Sequence, residues 1–399
     1  MKRTLAVVLL LLLPFAIARY ASFRQSSAMR ARSAGGPSDE ILVGVAWPFA
    51  DNQDGMDNGL ILAQEEINAR GLLGKPIRLL MRDDHMDREE SRRLAVEFSR
   101  NPSMVATIGY YDDKFAARAS AIFEDTGLLH IVAGANNTYM TTRGFRYLIR
   151  SVLPNDRIAH SVARLCTDRG YRNFAMVAED GPFGEDLMFQ AGTALGSLNA
   201  STVYQSTYIP GEVDFRQTVD ELKEAGGDVI LFLGLEHEGA TFIKAARGMG
   251  LQTPIVGAFS DTPEMHEIAG PLLNGVMFYE IYDVNSPSPE NREFVARYRH
   301  RFGEDPEPYA AQGYDALRIL AKAIRTTGST NPLDLAYAIR YMDRWEGANG
   351  SYKFDSTGEL EDKDLYLKMF REGGKPVVIA TAHPVPPAPP VHDQLAVPY

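Results

Sequence analysis

From Ile41 to Tyr282 the chain alternates short apolar, β-branched runs with longer stretches of helical period. A strand followed by a helix and another strand returns to its sheet by a crossover, so this alternation predicts parallel sheets built from βαβ units. Strands are expected at Ile41–Ala46, Ile77–Arg82, Met104–Ile108, Leu128–Val132, Asn173–Ala178, Val203–Ile209, Asp228–Leu233, Pro254–Gly257 and Gly275–Tyr282. The first helix falls on Gly59–Ala69, where Leu60, Ala63 and Ile67 share a face and Gly71 supplies the stop. Similar periodicity places helices near Glu89–Arg100, Phe115–Asp125, Ile158–Arg169, Glu185–Leu198, Phe215–Glu224 and Gly239–Met249.

So many strands fit two lobes better than one sheet, and an internal echo points the same way. Ile108-Gly109 ends one strand and leads through YYDDK and a helix to a strand ending in Gly134. Leu233-Gly234 leads through LEHE and a helix to a strand ending in Gly257, at nearly the same separation. A glycine at the carboxyl end of a parallel strand lets the backbone turn sharply or approach a ligand, and ligands of open α/β sheets sit outside those ends. Later, Glu290–Phe302, Tyr309–Thr326 and Leu333–Tyr341 are helical, and Ser351–Phe354 and Leu365–Phe370 return to strand character. Sharing these between the lobes requires the chain to cross more than once.

Lys2 and Arg3 precede the apolar run Leu5 to Ala18, which closes on Ala16-Ile17-Ala18. That small-x-small pattern is what signal peptidase reads, so residues 1–18 are expected to be an export signal, with an uncleaved anchor as the alternative. The run is shorter than the roughly 20 residues of a membrane span, and no cysteine follows it to take a lipid. Residues 19–38 read as a flexible leader and the proline-dense 383–399 as an extended or disordered tail.

The formal charge of −11 has the wrong sign for gripping a polyphosphate, which excludes nucleic acid as the expected partner. Cys166 is the sole cysteine, so neither an internal disulfide nor a thiolate metal cluster is available to one chain, and its helical setting suggests a packed core residue. No nucleophile elbow, Walker A run, dinucleotide fingerprint or His-Glu-x-x-His stands in the sequence. Neither enzyme activity nor a cofactor is expected. Asp83-Asp84-His85, with Asp87, Glu89 and Glu90, reads as a polar loop with acids at a helix start rather than as a metal site.

The strand ILVGVAWPF, the helix NGLILAQEEINARGLLGKPIRLLMRDD, and the segments VATIGYYDDKFAARASAIFEDTGLLHIVAGANN and MTTRGFRYLIRSV follow one another in a characteristic order. VAEDGPFGEDL, DFRQTVDELKEAGGDVILFLG, FIKAARGMGLQTPIVGAF and YAAQGYDALRILAKAI continue it. Together, over roughly Ile41 to Val378, they resemble the type I periplasmic solute-binding proteins, specifically the leucine/isoleucine/valine-binding family of ABC importers. The resemblance implies an α/β type I periplasmic-binding-protein fold: two Rossmann-like lobes with parallel central sheets, joined by a three-crossover hinge. Lobe 1 is then 39–154 and 284–348, and lobe 2 is 155–283 and 349–382, with crossings near Pro154–Ile158, Ile281–Asn285 and Gly347–Gly350. Such a protein works outside the cytoplasm, as a monomer, closing on a small solute and presenting it to a membrane permease. A ligand-sensing receptor or amide-type sensor on the same fold is the alternative.

In amino-acid-binding members small hydroxyl residues and backbone amides hold the α-carboxylate, and an acid holds the ammonium. The first hydroxyl position falls on Asp113, and the alanine–threonine pair on Ala135 and Asn136, whose amide can still donate. The lobe-2 aromatic matches Phe183, and the ammonium acid matches Phe259, with Ser260 and Asp261 beside it. A family tyrosine is missing near Leu235–Glu236, and the positions of a disulfide found in some relatives fall on Met86 and Asp112. Leucine specificity is therefore not carried over. Read by themselves, Trp47, Tyr110, Tyr111, Asp113, Asn136, Thr138, Phe183, Glu236, Phe259 and Asp261 combine flat contact area with a few orienting polar groups. Acids outnumber bases, so the expected ligand is an amino acid, amide or other amine-bearing solute.

Overall fold

Strand β1 (Ile41–Trp47) is buried at every position, as a strand covered by helices on both faces must be. It pairs in parallel with β2 (Ile77–Asp83) on one side and β3 (Met104–Gly109) on the other, and β4 (Leu129–Val132) and β5 (Leu148–Arg150) extend the sheet beyond β3. The order β2-β1-β3-β4-β5 reverses direction between β1 and β3. This is the computed structural model, which describes residue 30 and residues 39–361 and 363–383. The expected export signal, and the leader and tail apart from Arg30 and His383, lie outside the described residues.

A second sheet repeats the plan. Strands β6 (Asn173–Glu179), β7 (Ser201–Tyr208), β8 (Val229–Leu233), β9 (Ile255–Gly257) and β10 (Met277–Glu280) stand in the order β7-β6-β8-β9-β10, all parallel, reversing between β6 and β8. The sequence echo is therefore a repeat of structure, with β3–β4 matched by β8–β9. Strands β11 (Trp345–Gly347) and β12 (Gly350–Tyr352) form a separate antiparallel ribbon. Beyond β10 the second sheet gains two antiparallel strands, β13 (Leu365–Arg371) and β14 (Gly374–Ala382).

The helices are α1 (Met56–Arg70), α2 (Arg88–Arg100), α3 (Asp113–Thr126), α4 (Asn155–Thr167), α5 (Pro182–Ser197), α6 (Arg216–Ala225), α7 (Glu236–Gly248), α8 (Pro263–Ala269), α9 (Pro289–Phe302), α10 (Pro308–Thr327) and α11 (Pro332–Arg340). Several begin two or three residues before their expected starts. Their first turns carry no apolar period; the first turn of α3 is held instead by Asp112, whose carboxylate accepts the N–H groups of Lys114 and Phe115 at 2.7 and 3.2 Å. Among the described residues no helix is long and apolar enough to cross a membrane.

Helix α10 belongs to the first lobe because it lies against α1. The approach is close: a Cβ on Gly59 would stand 1.9 Å from the carbonyl oxygen of Ala310. Gly59→Val is expected to push these helices apart and cost about 1–3 kcal/mol or more of stability, read from urea unfolding. An unchanged midpoint would show that the contact yields.

The chain passes from the first sheet to the second between Arg150 and Asn155 and returns between Glu280 and Pro289. The third passage does not fall at Gly347–Gly350. Ala348 and Asn349 donate their N–H groups to Asp315 of α10, and the Gly358 carbonyl accepts from Arg150 N at 2.8 Å. Residues 348–361 thus stay with the first lobe, and the crossing lies between Glu361 and Leu365. Buried polar ties, rather than an apolar pattern, decide that placement.

Candidate ligand-binding cleft

The carboxyl ends of both sheets face one cavity of about 220 Å³. Tyr111 to Lys114 reach it after β3, and Gly134 and Asn136 after β4. From the second sheet come Glu179 at the end of β6, Pro182 and Phe183 at the start of α5, Leu235 and Glu236 after β8, Ala258 to Ser260 after β9, and Tyr279 and Glu280 on β10. Tyr309, in the first turn of α10, adds a third tyrosine. The second sheet contributes the loops on both sides of its reversal and the first sheet the loop on the β3 side, where open α/β sheets bind ligands.

Of the residues singled out from sequence, Tyr111, Asp113, Asn136, Phe183, Glu236 and Phe259 line this cavity. Ala135 does not: it is buried beside the lining Gly134 and Asn136. Trp47 sits one layer behind, fully buried, its ring 5.4 Å from Tyr111 and 5.2 Å from Tyr309. Asp261 is exposed and pairs with His266 at 2.6 Å, so it does not replace a cleft acid. Tyr110 is buried away from the cavity, its hydroxyl donating to the Ser91 carbonyl at 3.2 Å. Phe259 enters as part of the second lobe's aromatic core, its ring tilted against those of Phe232 and Phe278 at 6.4 and 6.3 Å.

Tyr279, Glu280, Tyr309 and Glu179 are lining residues that the sequence reading did not select. Their signal was positional: Glu179 follows an expected strand, Tyr279 and Glu280 fall within the last residues of another, and Tyr309 opens an expected helix. The tyrosines form one aromatic wall, with Tyr111 and Tyr309 rings 5.5 Å apart.

Charge in the cavity is predominantly acidic. Asp113 is nine-tenths buried, and one carboxylate oxygen accepts the Asn137 N–H at 2.9 Å while the other has no partner. Burial pushes its pKa up to about 6, against the lowering pull of the Asn137 amide and Arg150. Burial likewise pushes Glu280 up to about 7, opposed by the Lys368 charge and the Ile281 N–H and reinforced by Glu236. Glu236 is raised for the same reason, although it accepts the Ser260 N–H at 3.1 Å. The Asn136 amide, expected to donate to ligand, donates instead to the Leu153 carbonyl at 2.5 Å.

The lobes touch directly beside the cavity. Thr138 of the β4–β5 loop donates its N–H to Asp186 of α5 at 2.9 Å, and the Asn155 amide donates to the same oxygen at 3.0 Å. Thr138 is therefore an interlobe contact rather than a lining residue. Among potential metal ligands, Asp51, Asp83 and His85 converge on a largely exposed loop. There Asp83 already accepts the Ala50 and His85 N–H groups, which accounts for the cluster as loop structure.

Raised carboxyl pKa values have a sign for stability. Asp54 and Glu280 at about 7, and Asp84 and Asp113 at about 6, keep protons that the unfolded chain has released. Between about pH 4 and 7 the folded state binds more protons, so ligand-free stability falls as pH rises through that window. A scan of melting temperature is expected to give a lower value at pH 7.5 than at pH 5. A steady rise over this range would contradict it.

The sequence profile of the periplasmic binding protein family matches residues 42–375. A Leu/Ile/Val-binding protein homolog 2 from Brucella abortus (strain 2308) is 27% identical over 343 residues, spanning 84% of this chain and 91% of the relative. A crystal structure of an ABC transporter substrate-binding protein from Desulfitobacterium hafniense in complex with Leu is 26% identical, with a TM-score of 0.76 over 84% of this chain and 98% of that one. The fold is shared at 20% identity and a TM-score of 0.77, over 87% and 98% of the two chains, by a solute-binding protein of R. palustris in complex with 4-hydroxybenzoate. Profile, relatives and the doubled β-strand order agree, and the chain belongs to the leucine/isoleucine/valine-binding family of type I periplasmic binding proteins, which are solute binders and not enzymes.

Proposed function

We propose that this chain is the extracytoplasmic substrate-binding component of an ABC importer. It captures a small amine-bearing solute between its lobes as a monomer and hands the closed complex to a membrane permease. One observation carries the reading: a cavity between two repeated sheets whose ionisable lining is Asp112, Asp113, Glu179, Glu236 and Glu280 against Lys114. Cations and N–H donors gain from that balance, whereas an anion entering it meets like charge. The tyrosine wall supplies flat contact area and ring faces that attract cations. The two lobes meet through few polar contacts beside the cavity, which suits closure by a hinge.

A panel of amino acids, aliphatic amides, urea, amines and aromatic acids, screened by thermal shift on residues 19–399, tests this. A ligand at a hundredfold excess over Kd stabilises the native state by about 2.7 kcal/mol, a clear rise in melting temperature. A hit that also contracts the protein in small-angle scattering supports capture by closure. A folded protein that no member of the panel stabilises would defeat the proposal.

A further inference from the structure

The first-lobe wall of the cavity is built as an anion seat. Helix α3 begins there, and the amides of Asn136 and Asn137 follow β4 beside it. N–H groups converging at a helix start in a cleft bind carboxylates and phosphates in many proteins. In this chain the Lys114 and Phe115 N–H groups, the Asn137 N–H and the Asn136 side-chain amide on that wall are already spent on protein acceptors, and the Lys114 ammonium is the one cation among five acids in the lining. The Asp112 carboxylate accepts from Lys114 N and Phe115 N. One oxygen of Asp113 accepts from Asn137 N. The Asn136 side-chain amide serves Leu153 O. Asp113 thus supplies from within the chain the carboxylate that such a seat would take from a ligand. Its second oxygen, nine-tenths buried and without a partner, turns the seat from donor to acceptor.

Across the cavity the second lobe presents Glu236 and Glu280, each with an oxygen tied to a backbone N–H, under the shared field of Tyr111, Tyr279 and Tyr309. Both poles of the cavity therefore accept hydrogen bonds, and its middle is aromatic. We propose that the physiological ligand is an organic amine without a carboxylate, whose cationic nitrogen lies on the Glu236 and Glu280 side and whose far end gives a donor or an apolar surface to Asp113. This rests on the binding reading and narrows it. Amino acids are disfavoured because their carboxylate would displace or face Asp113, leaving one of two carboxylates without donors.

Matched pairs differing only in the carboxylate decide it: leucine and isoamylamine, phenylalanine and phenethylamine, lysine and cadaverine, benzoate and benzylamine. Calorimetry on residues 19–399 is expected to show at least one amine binding at least about tenfold more tightly than its carboxylate twin. Asp113→Ser, which frees the Asn137 donor, is expected to raise affinity for the twin. Asp113→Asn keeps the size of the side chain and guards against a serine variant that does not fold; it is expected to weaken the amine. A carboxylate twin that equals its amine on the native protein overturns the inference and leaves the binding reading intact. So does a twin whose affinity Asp113→Ser leaves unchanged, since it would then sit elsewhere, for instance on the start of α5, which has no side-chain cap. If no amine binds, the inference falls, and the binding reading is judged separately by the wider panel.

Discussion

Replacing Arg150 with methionine is expected to cost about 3–5 kcal/mol of unfolding free energy, because it strands a buried carboxylate. Arg150 has no exposed surface, and its guanidinium grips both oxygens of Glu359 and the Asn137 carbonyl. Glu359 comes from the 348–361 segment, and besides Arg150 its carboxylate accepts from the Thr141 hydroxyl and the Leu360 N–H. The pair therefore joins β5, the β4–β5 loop and the run leading into the third crossing. Adding Glu359→Leu to Arg150→Met is expected to recover much of the loss, since an apolar pair avoids burying charge. Urea unfolding monitored by circular dichroism reads both variants. A loss under about 1 kcal/mol for the single change would mean that water reaches Glu359.

Glu236→Gln is expected to weaken a bound amine by about 1.5–3 kcal/mol, the worth of a hydrogen bond to a charged group, or roughly 10- to 150-fold in Kd. Glu280→Gln is expected to act in the same direction. Their effect on the ligand-free protein is opposite. Burial already disfavours charge on both carboxyls, so the neutral amide is expected to raise the melting temperature above pH 7. Weaker binding together with higher stability separates a ligand-holding acid from a structural one, which would lose stability. Calorimetry and a melting scan on each variant supply the two readings, and equal affinity for the best amine would remove the residue from the site.

The parallel βαβ framework was legible because buried strands such as ILVGVAW and VILFL are apolar throughout and lie between helical periods. Carboxyl ends of strands were legible through Gly109, Gly134 and Gly257, where added Cβ atoms would meet Ala46 O at 2.1 Å, Trp47 at 2.7 Å and Phe259 at 1.9 Å. What escaped was short or polar. Strand β5 spans three residues, and α8 has too few turns to show a period. The third crossing is fixed by hydrogen bonds to Asp315 and Arg150 that no local pattern announces. In the cleft, the loops after β3, β8 and β9 were found because ligand positions follow strand ends. Trp47 and Asp261 were misplaced because adjacency in sequence does not say whether a side chain turns toward the cavity, the core or solvent. Glu280 and Tyr309 were missed for the converse reason, as members of a strand and a helix whose terminal residues face inward.

The position of Trp47 gives the protein an optical readout of its own. Of two tryptophans, Trp345 lies in the small ribbon, while Trp47 touches the two tyrosines that wall the cavity and donates its indole N–H to Asp54 at 3.0 Å. A solute that shifts those tyrosines changes the field around the indole, so native fluorescence is expected to report occupancy without a label. Burial places the Asp54 carboxyl at about 7, so the emission of the empty protein is also expected to vary around neutral pH. In a Trp345→Phe background the whole tryptophan signal belongs to the cleft, so a ligand titration yields the affinity and a pH titration of the empty protein follows the acid behind the wall.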